Sequence, residues 1–376
     1  VIGTAVADMA RHVKLVGGGH AHVAVLADWI AGGLPCERAT LLTPRRHLRY
    51  SGMVPGWIAG QYSRDDGVVD LAALAERAGV QLLLGPCTGI DPEARWLKTG
   101  GGQVLEYDVV SFDTGGVGRA SAVFGKEQCN DRSLLDIRPI DRFVERLAER
   151  GDPNTIAVLG GGAGGVEIAF AMRNRTGFVV QPTVTLITGR DGLLPTLSAA
   201  VRRKVERELA RQEIAVIKQD ARFEGGSWVT SSGVLEPHDL IVAALGSAAP
   251  DWPRAGGLAV DDEGFIAVDR YQRSVSHPNV FATGDVAARQ DTEVAHSGVH
   301  AVMAGPVLAQ NLRSVLSGRR PRAVYRPRKM SLYLISTGNG SAILSYGPLA
   351  AQGGWVAKLK HSIDNRWISQ YASLCR

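Results

Sequence analysis

TIAVLGGGAGGVEIA, residues 155–169, decides the reading of this chain. Thr155–Leu159 is a short apolar strand, and Gly160, Gly162 and Gly165 follow it at G-x-G-x-x-G spacing. That spacing suits a tight strand-to-helix turn whose N–H groups and helix dipole receive a pyrophosphate. A single such loop says little, because glycine turns recur in many contexts. A second one stands upstream in KLVGGGHAHV, residues 14–23: Lys14–Gly17 is the strand, Gly17 and Gly19 hold the first two places, and His22 occupies the third. His22 predicts looser packing of helix on strand. The phosphate approach, which rests on the first two glycines, is unaffected.

The surroundings of both loops repeat as strand, loop, helix and strand. Around the first, the helical stretch runs to Ile30, Ala39–Leu42 is a strand, and Asp70 caps a helix whose Leu71, Leu74, Ala75 and Ala78 share one face before Gly79 ends it. Val104–Phe112 reads as one strand. Around the second, Ile140, Phe143, Val144 and Leu147 have helical spacing, Thr183–Ile187 is a strand, and Val201, Val205 and Leu209 form a helical stripe. Residues 294–312 carry no formal charge and predict a buried helix kinked by Pro306. Ser331–Tyr346 reads as a hairpin. The fold class is therefore α/β, with two Rossmann-like, doubly wound units and a small C-terminal α+β segment.

Composition excludes several alternatives. With 45% hydrophobic and 21% charged residues the 376-residue chain is not mainly disordered. No stretch reads as a membrane span, and residues up to Ala10 lack the pattern of a secretory signal. Cys36, Cys87, Cys129 and Cys375 lie far apart without a Cys-x-x-Cys, which predicts neither a zinc site nor a disulfide framework and fits a reducing cytoplasm. His20 and His22 lack a convergent third ligand, so no metal site is expected. The net charge of +5 is too diffuse to imply nucleic acid, and the basic run Arg319–Lys329 reads equally as a solvated loop. Asp or Glu normally closes the second strand of each unit and accepts from the adenosine ribose. Thr43 and Thr188 stand there instead, with Arg45, Arg46 and Arg190 beyond. Arg190 leans toward a 2′-phosphate or is simply a solvated turn residue, so the coenzyme is NAD(P)H.

Three motifs in order, VGGGHAHV (16–23), LGGGAGGVEIA (159–169) and NVFATGDVA (279–287), resemble the two-dinucleotide-binding-domain flavoproteins of the pyridine nucleotide–disulfide oxidoreductase superfamily. Within it the likeness is to type II NADH:quinone dehydrogenases and sulfide:quinone reductases. YSGMVPGWIAGQYS (50–63) and LKHSIDNRW (359–367) most resemble the NADH-dehydrogenase-like flavoprotein associated with selenophosphate synthetase. The resemblance implies a discontinuous FAD domain (9–118 and 258–330), an NAD(P) domain (119–257), and a C-terminal hairpin and amphipathic helix (331–376). It implies FAD contacts from Gly17, Gly19, His20 and Ala21, from the Cys87 backbone, from the Thr114-Gly115 turn, and from Gly284 with Asp285, whose carboxylate would accept from the ribityl chain. It places the coenzyme against Gly160, Gly162, Gly165, Arg190 and Gly246. Glu167 would face the nicotinamide, and a helix beginning near His296 would point its N-terminus at the flavin.

The activity implied is hydride transfer from nicotinamide C4 to flavin N5, then reoxidation by a quinone or another small acceptor. The first helix holds no Cys-x4-Cys, so no dithiol relay is expected; Cys129 stands near one flavin-side cysteine of the sulfide:quinone reductases but without an evident partner. The competing class is a flavoprotein that works by interaction, for instance in selenium metabolism. Trp355, Leu359, Ile363, Trp367 and Tyr371 recur every fourth residue with basic neighbours. This stripe predicts peripheral contact with the inner face of a membrane, against the alternative that it packs on the FAD domain or forms a homodimer seam.

Overall fold

The computed structural model describes residues 12–125, 133–177, 180–328 and 330–375. Strand β1 (His12–Val16) feeds helix α1 (His20–Gly32), which returns the chain to strand β2 (Arg38–Thr43). Helix α2 (Leu71–Arg77) is capped by Asp70, whose Oδ1 accepts from the N–H groups of Ala72 and Ala73 at 2.9 and 3.1 Å. Such a cap contributes about 1 kcal/mol. Strands β3 (Gln81–Leu84) and β4 (Val109–Phe112) follow. The single strand expected over 104–112 is in fact two. Val104–Glu106 joins a small antiparallel sheet with Cys87–Asp91 and Trp96–Thr99, and β4 joins the main one. Between them Asp108 turns to accept from the His12 N–H at 2.7 Å. Apolar residues flank that turn on both sides, so periodicity alone hides it.

The second unit repeats the plan with β5 (Leu134–Asp136), α3 (Ile140–Ala148), β6 (Thr155–Leu159), α4 (Ala163–Arg173), β7 (Thr183–Ile187), α5 (Ala199–Arg211), β8 (Ala215–Ile217) and β9 (Leu240–Ala243). The chain then comes back through β10 (Val280–Ala282). One sheet has the order β10-β4-β1-β2-β3 and the other β5-β9-β6-β7-β8, each parallel. Parallel sheets are covered on both faces, and Val13, Leu15, Leu41, Ile156, Val158 and Leu186 are accordingly fully buried. In each sheet the strand entering a glycine loop is central. Both loops thus sit at the carboxyl ends of the strands, where open α/β sheets bind ligands.

At His22 a buried side chain takes the place of a close backbone approach. Its imidazole is fully buried, with Nδ1 2.6 Å from the Gly17 carbonyl and Nε2 2.9 Å from the Ser111 hydroxyl. An Nδ1–H that donates to the carbonyl leaves Nε2 to accept from Ser111. In the second loop the corresponding contact is made by glycine: a Cβ on Gly165 would lie 2.0 Å from the Gly160 carbonyl oxygen. Two hydrogen bonds at His22 replace that close approach. The His22→Ala chain should lose about 2–4 kcal/mol of stability, from the cavity and from a carbonyl and hydroxyl left unpaired. An unchanged urea midpoint would refute this.

Helix α6 (Gly298–Leu316) carries Pro306 within it and begins after Ser297, two residues past the expected start near His296. Its Gly305 lies against α1, where a Cβ would meet Ala24 at 2.8 Å. The C-terminal segment is not a simple hairpin. β11 (Leu332–Ser336), β12 (Ala342–Tyr346) and β13 (Leu349–Gly353) form an antiparallel sheet before helix α7 (Gly354–Ala372). β13 reads LAAQG, without the β-branched residues that mark a strand. The aromatic stripe of α7 also divides. Trp355, Leu359 and Ile363 are exposed, whereas Trp367 and Tyr371 are buried against the first unit. Period four drifts around a helix of 3.6 residues per turn, so the stripe cannot stay on one face.

Candidate functional site

The two glycine loops share a backbone design. Gly17 has φ +94° and Gly160 φ +132°; a Cβ on either would strike the carbonyl oxygen of the neighbouring strand end, Asp113 at 2.3 Å and Ala244 at 2.2 Å. Only glycine fits there. At the second loop Gly162 caps α4 with extended backbone and no side-chain partner, and nothing lies within 4 Å of where its Cβ would be. The first N–H groups of α4 therefore face open space, as a pyrophosphate needs. The first loop differs in one respect. The Asp113 carboxylate accepts from the N–H groups of Ala21 and His22 at 2.8 and 2.9 Å, at the start of α1.

Asp285 comes from the turn after β10 and lies beside this loop. It is buried, and its Oδ2 pairs with Arg138 of the second unit at 2.8 Å. Gly284 before it has φ +68°, and a Cβ there would approach Asp113 Oδ1 to 2.7 Å. His20 is in the same neighbourhood, its imidazole pushed down to about 4 by burial, which the Asp285 charge partly opposes. His296 stacks on Phe265, with centroids 4.0 Å apart, and borders a cavity of about 40 Å³ shared with Asp285, His300 and Tyr325. It stands outside α6 rather than at its first turn.

Glu167, on α4, accepts from the Ser336 N–H at 2.9 Å. Burial holds its carboxyl above the usual range, opposed by the Lys360 charge. Lys360 on α7 donates to Asp364 at 2.9 Å and to the Gly52 carbonyl at 2.8 Å. Tyr50 stacks on Trp367 with centroids 4.7 Å apart, and His20 lies 5.2 Å from the same indole. Segment 50–63, α4, β11 and α7 thus meet at one place. Beside it opens a cavity of about 300 Å³, lined in part by Gly52, Gly56, Tyr62, Ser336, Lys360 and His361. Tyr62 Oη is 2.9 Å from His361 Nδ1.

The other expected residues fall as follows. Gly115 and Gly246 both have positive φ (+68° and +85°), and the strands just after them pair, Val117 opposite Ala248. The two crossings between units therefore run side by side at the Thr114 turn. Arg190 is exposed and bonded to Asp220 at 2.5 Å. Thr188 turns its hydroxyl onto the Gly189 carbonyl at 3.2 Å, and Arg45 is held by Glu145. The Cys87 thiol donates to the Gly89 carbonyl, and burial pushes it up to about 11; Cys36 is also pushed to about 11. Neither offers a thiolate at neutral pH. Cys129 and Lys329 lie outside the described residues. Among the described residues no cluster of His, Cys, Asp or Glu could hold a metal.

Two parallel sheets with paired glycine loops and a Gly-Asp turn between them match known proteins. The family model for pyridine nucleotide-disulphide oxidoreductases covers residues 11–305. The chain belongs to that family. Its members are NAD(P)H-dependent flavin oxidoreductases that bind FAD and NAD(P)H. Oxidoreductase ptaL of Pestalotiopsis fici is 24% identical, over 94% of this chain and 96% of its own. Ferroptosis suppressor protein 1 of Xenopus laevis is also 24% identical, over 69% and 70%. Among solved structures, the sulfide:quinone oxidoreductase of Aquifex aeolicus superposes with TM-score 0.75 at 19% identity, covering 97% of this chain and 92% of that one. The water-forming NADH oxidase of Lactobacillus brevis gives TM-score 0.75 at 19% identity, covering 90% and 75%. At such identity the structures speak for the fold alone.

Within this flavoprotein several site residues carry no motif. Tyr50, Lys360 and Asp364 converge from segments some three hundred positions apart. Arg138 is one arginine among many. Asp113 was within reach: laying FDTGG (112–116) over AALGS (243–247) puts it opposite Ala244.

Proposed function

We propose that this flavoprotein is an NAD(P)H dehydrogenase that holds FAD at the first loop and its coenzyme at the second, and passes electrons to a small planar acceptor of the quinone class. The observation that carries the reading is the contrast at the two helix starts. The α4 N-terminus is open to a coenzyme, while the first loop is flanked by the buried Asp285, which suits a cofactor that stays. When bound, FAD would supply the redox chemistry between coenzyme and acceptor. The chain contributes placement. Gly160 and Gly162 would let the coenzyme pyrophosphate approach the backbone, Glu167 on the first turns of α4 would orient the nicotinamide end, and Asp285 would accept from the ribityl hydroxyls. The cavity between segment 50–63 and α7 suits the acceptor, with the Tyr62 hydroxyl, oriented by His361, offering a donor to a carbonyl oxygen. High thiol pKa values at Cys36 and Cys87 support a reaction without a redox disulfide.

The test is steady-state oxidation of NADH and NADPH with quinone and dye acceptors. Turnover supports the enzyme; FAD bound without turnover by any acceptor would leave the interaction class standing instead. Gly162→Val gives a sharper view, since its φ of −73° and ψ of 175° suit valine and its surroundings are open. That variant should fold normally and keep FAD but lose coenzyme affinity by at least about tenfold, or about 1.4 kcal/mol, because the side chain stands before the α4 N–H groups. Wild-type affinity in the variant would remove the coenzyme from this loop.

The exposed Trp355, Leu359 and Ile363, beside Lys358 and Arg366, support a peripheral lipid contact for the first half of α7. Among the described residues no helix is long and apolar enough to cross a membrane. Anionic vesicles at low salt should sediment the full chain, and Trp355→Ser should weaken this. A chain that stays in the supernatant retires the membrane contact.

A further inference from the structure

The repeat supplies its own control for one residue. Asp113 and Ala244 occupy the same place in the two units: each directly follows the strand beside its glycine loop, and each offers the carbonyl that the first glycine must avoid. In the second unit the side chain is a methyl group and the helix N-terminus is open. In the first, the carboxylate reaches under the loop and takes two of the four N–H groups that the start of α1 leaves without helical partners. A Cβ on Gly19 would lie 2.4 Å from this carboxylate, so Asp113 fills the underside of the loop. No salt bridge reaches Asp113 among the described residues, and it is 3% exposed.

The groups around it do not compensate its charge. Asp285 faces it from the Gly-Asp turn, and that carboxylate already has Arg138. His22 and His20, on α1, are both held neutral at pH 7 by burial. A dinucleotide pyrophosphate would bring further negative charge to the same helix start. We propose that Asp113 is a built-in anionic competitor for the FAD pyrophosphate, so that the first loop binds FAD fully only when this carboxyl is neutral. The inference rests on the first loop being the FAD loop. Burial pushes the Asp113 carboxyl up to about 7, with the Asp285 charge adding to the shift and the two N–H groups opposing it. Competition therefore strengthens as pH rises through neutrality.

The test is equilibrium FAD binding to the full chain stripped of flavin, read by quenching of flavin fluorescence at pH 6 and pH 8. A single carboxyl titrating near 7 should weaken wild-type affinity by about tenfold between these values. Asp113→Asn keeps the shape without the charge, and Asp113→Ala copies the second loop. Both should bind FAD about equally at the two pH values, and about tenfold more tightly than wild type at pH 8. NAD(P)H affinity at the second loop should not change. A flat wild-type profile overturns the proposal, and it does so even if the variants fail to fold. So does weaker FAD binding by folded Asp113→Asn at both pH values, which would make Asp113 a structural cap. No FAD binding by wild type or variants would overturn the FAD assignment of the loop, and the proposal with it.

Discussion

The Asp285→Ala chain is expected to leave purification largely without flavin. Asp285 is buried beside the first loop, and as a carboxylate it is the strongest acceptor available to the neutral ribityl hydroxyls. A hydrogen bond to a charged group contributes about 1.5–3 kcal/mol, which is about 10- to 150-fold in affinity. Arg138 makes this arrangement workable. Its guanidinium, 2.8 Å from Oδ2, offsets the negative charge that Asp285 would otherwise set against an approaching pyrophosphate. Removing Asp285 also leaves Arg138 half-buried without its partner. Asp285→Asn, which keeps an acceptor, should retain an intermediate flavin fraction. The ratio of absorbance near 450 nm to that near 280 nm measures both, and full flavin content in Asp285→Ala would exclude the ribityl role.

A second large effect is expected at Lys360. Its ammonium is mostly buried between Asp364, the Gly52 carbonyl and the nearby Glu167. The Lys360→Met chain keeps the apolar stem but leaves the buried Asp364, and Glu167 nearby, without a cation. Breaking a buried pair from one side costs about 3–5 kcal/mol. The loss should appear as a lower midpoint for the unfolding of α7, followed through the fluorescence of its two tryptophans, Trp355 and Trp367. Adding Asp364→Leu to Lys360→Met should recover most of it, because then neither charge of the pair needs solvation. If the double variant is as weak as the single one, the cost lies in the Gly52 contact or in Glu167 rather than in the ion pair.

What the sequence disclosed divides along physical lines. Central parallel strands such as Thr155–Leu159 are buried on both faces, so they read as continuous apolar runs next to glycine and are hard to miss. Asp70 before Leu71 announced its helix by capping chemistry that is local by nature. The edges of elements were less visible. The turn at Tyr107–Asp108 interrupts an apolar run, and β13, an edge strand of a three-stranded sheet, lacks strand-forming residues. At the site, positions fixed by backbone shape were legible, since a left-handed turn at Gly17 or Gly160 admits only glycine. Positions fixed by distant partners were not. Nothing near Lys360 in sequence announces Glu167, and Asp113 shows its peculiarity only when the two halves of the chain are compared with each other.

The return strand β10 bears on how the molecule is made. When residue 243 has left the ribosome, every strand of the second sheet has been delivered. The first sheet, begun more than two hundred residues earlier, still shows β4 as an open edge, because β10 spans Val280–Ala282. Further apolar cover, Trp367 and Tyr371 of α7, arrives later still. The unit begun first is therefore finished last. Contacts of such long separation close slowly, and an unpaired strand edge is where nascent chains find wrong partners. During that interval the second sheet has all its strands, but its core too awaits Ile335 and Ile343, which are made after β10.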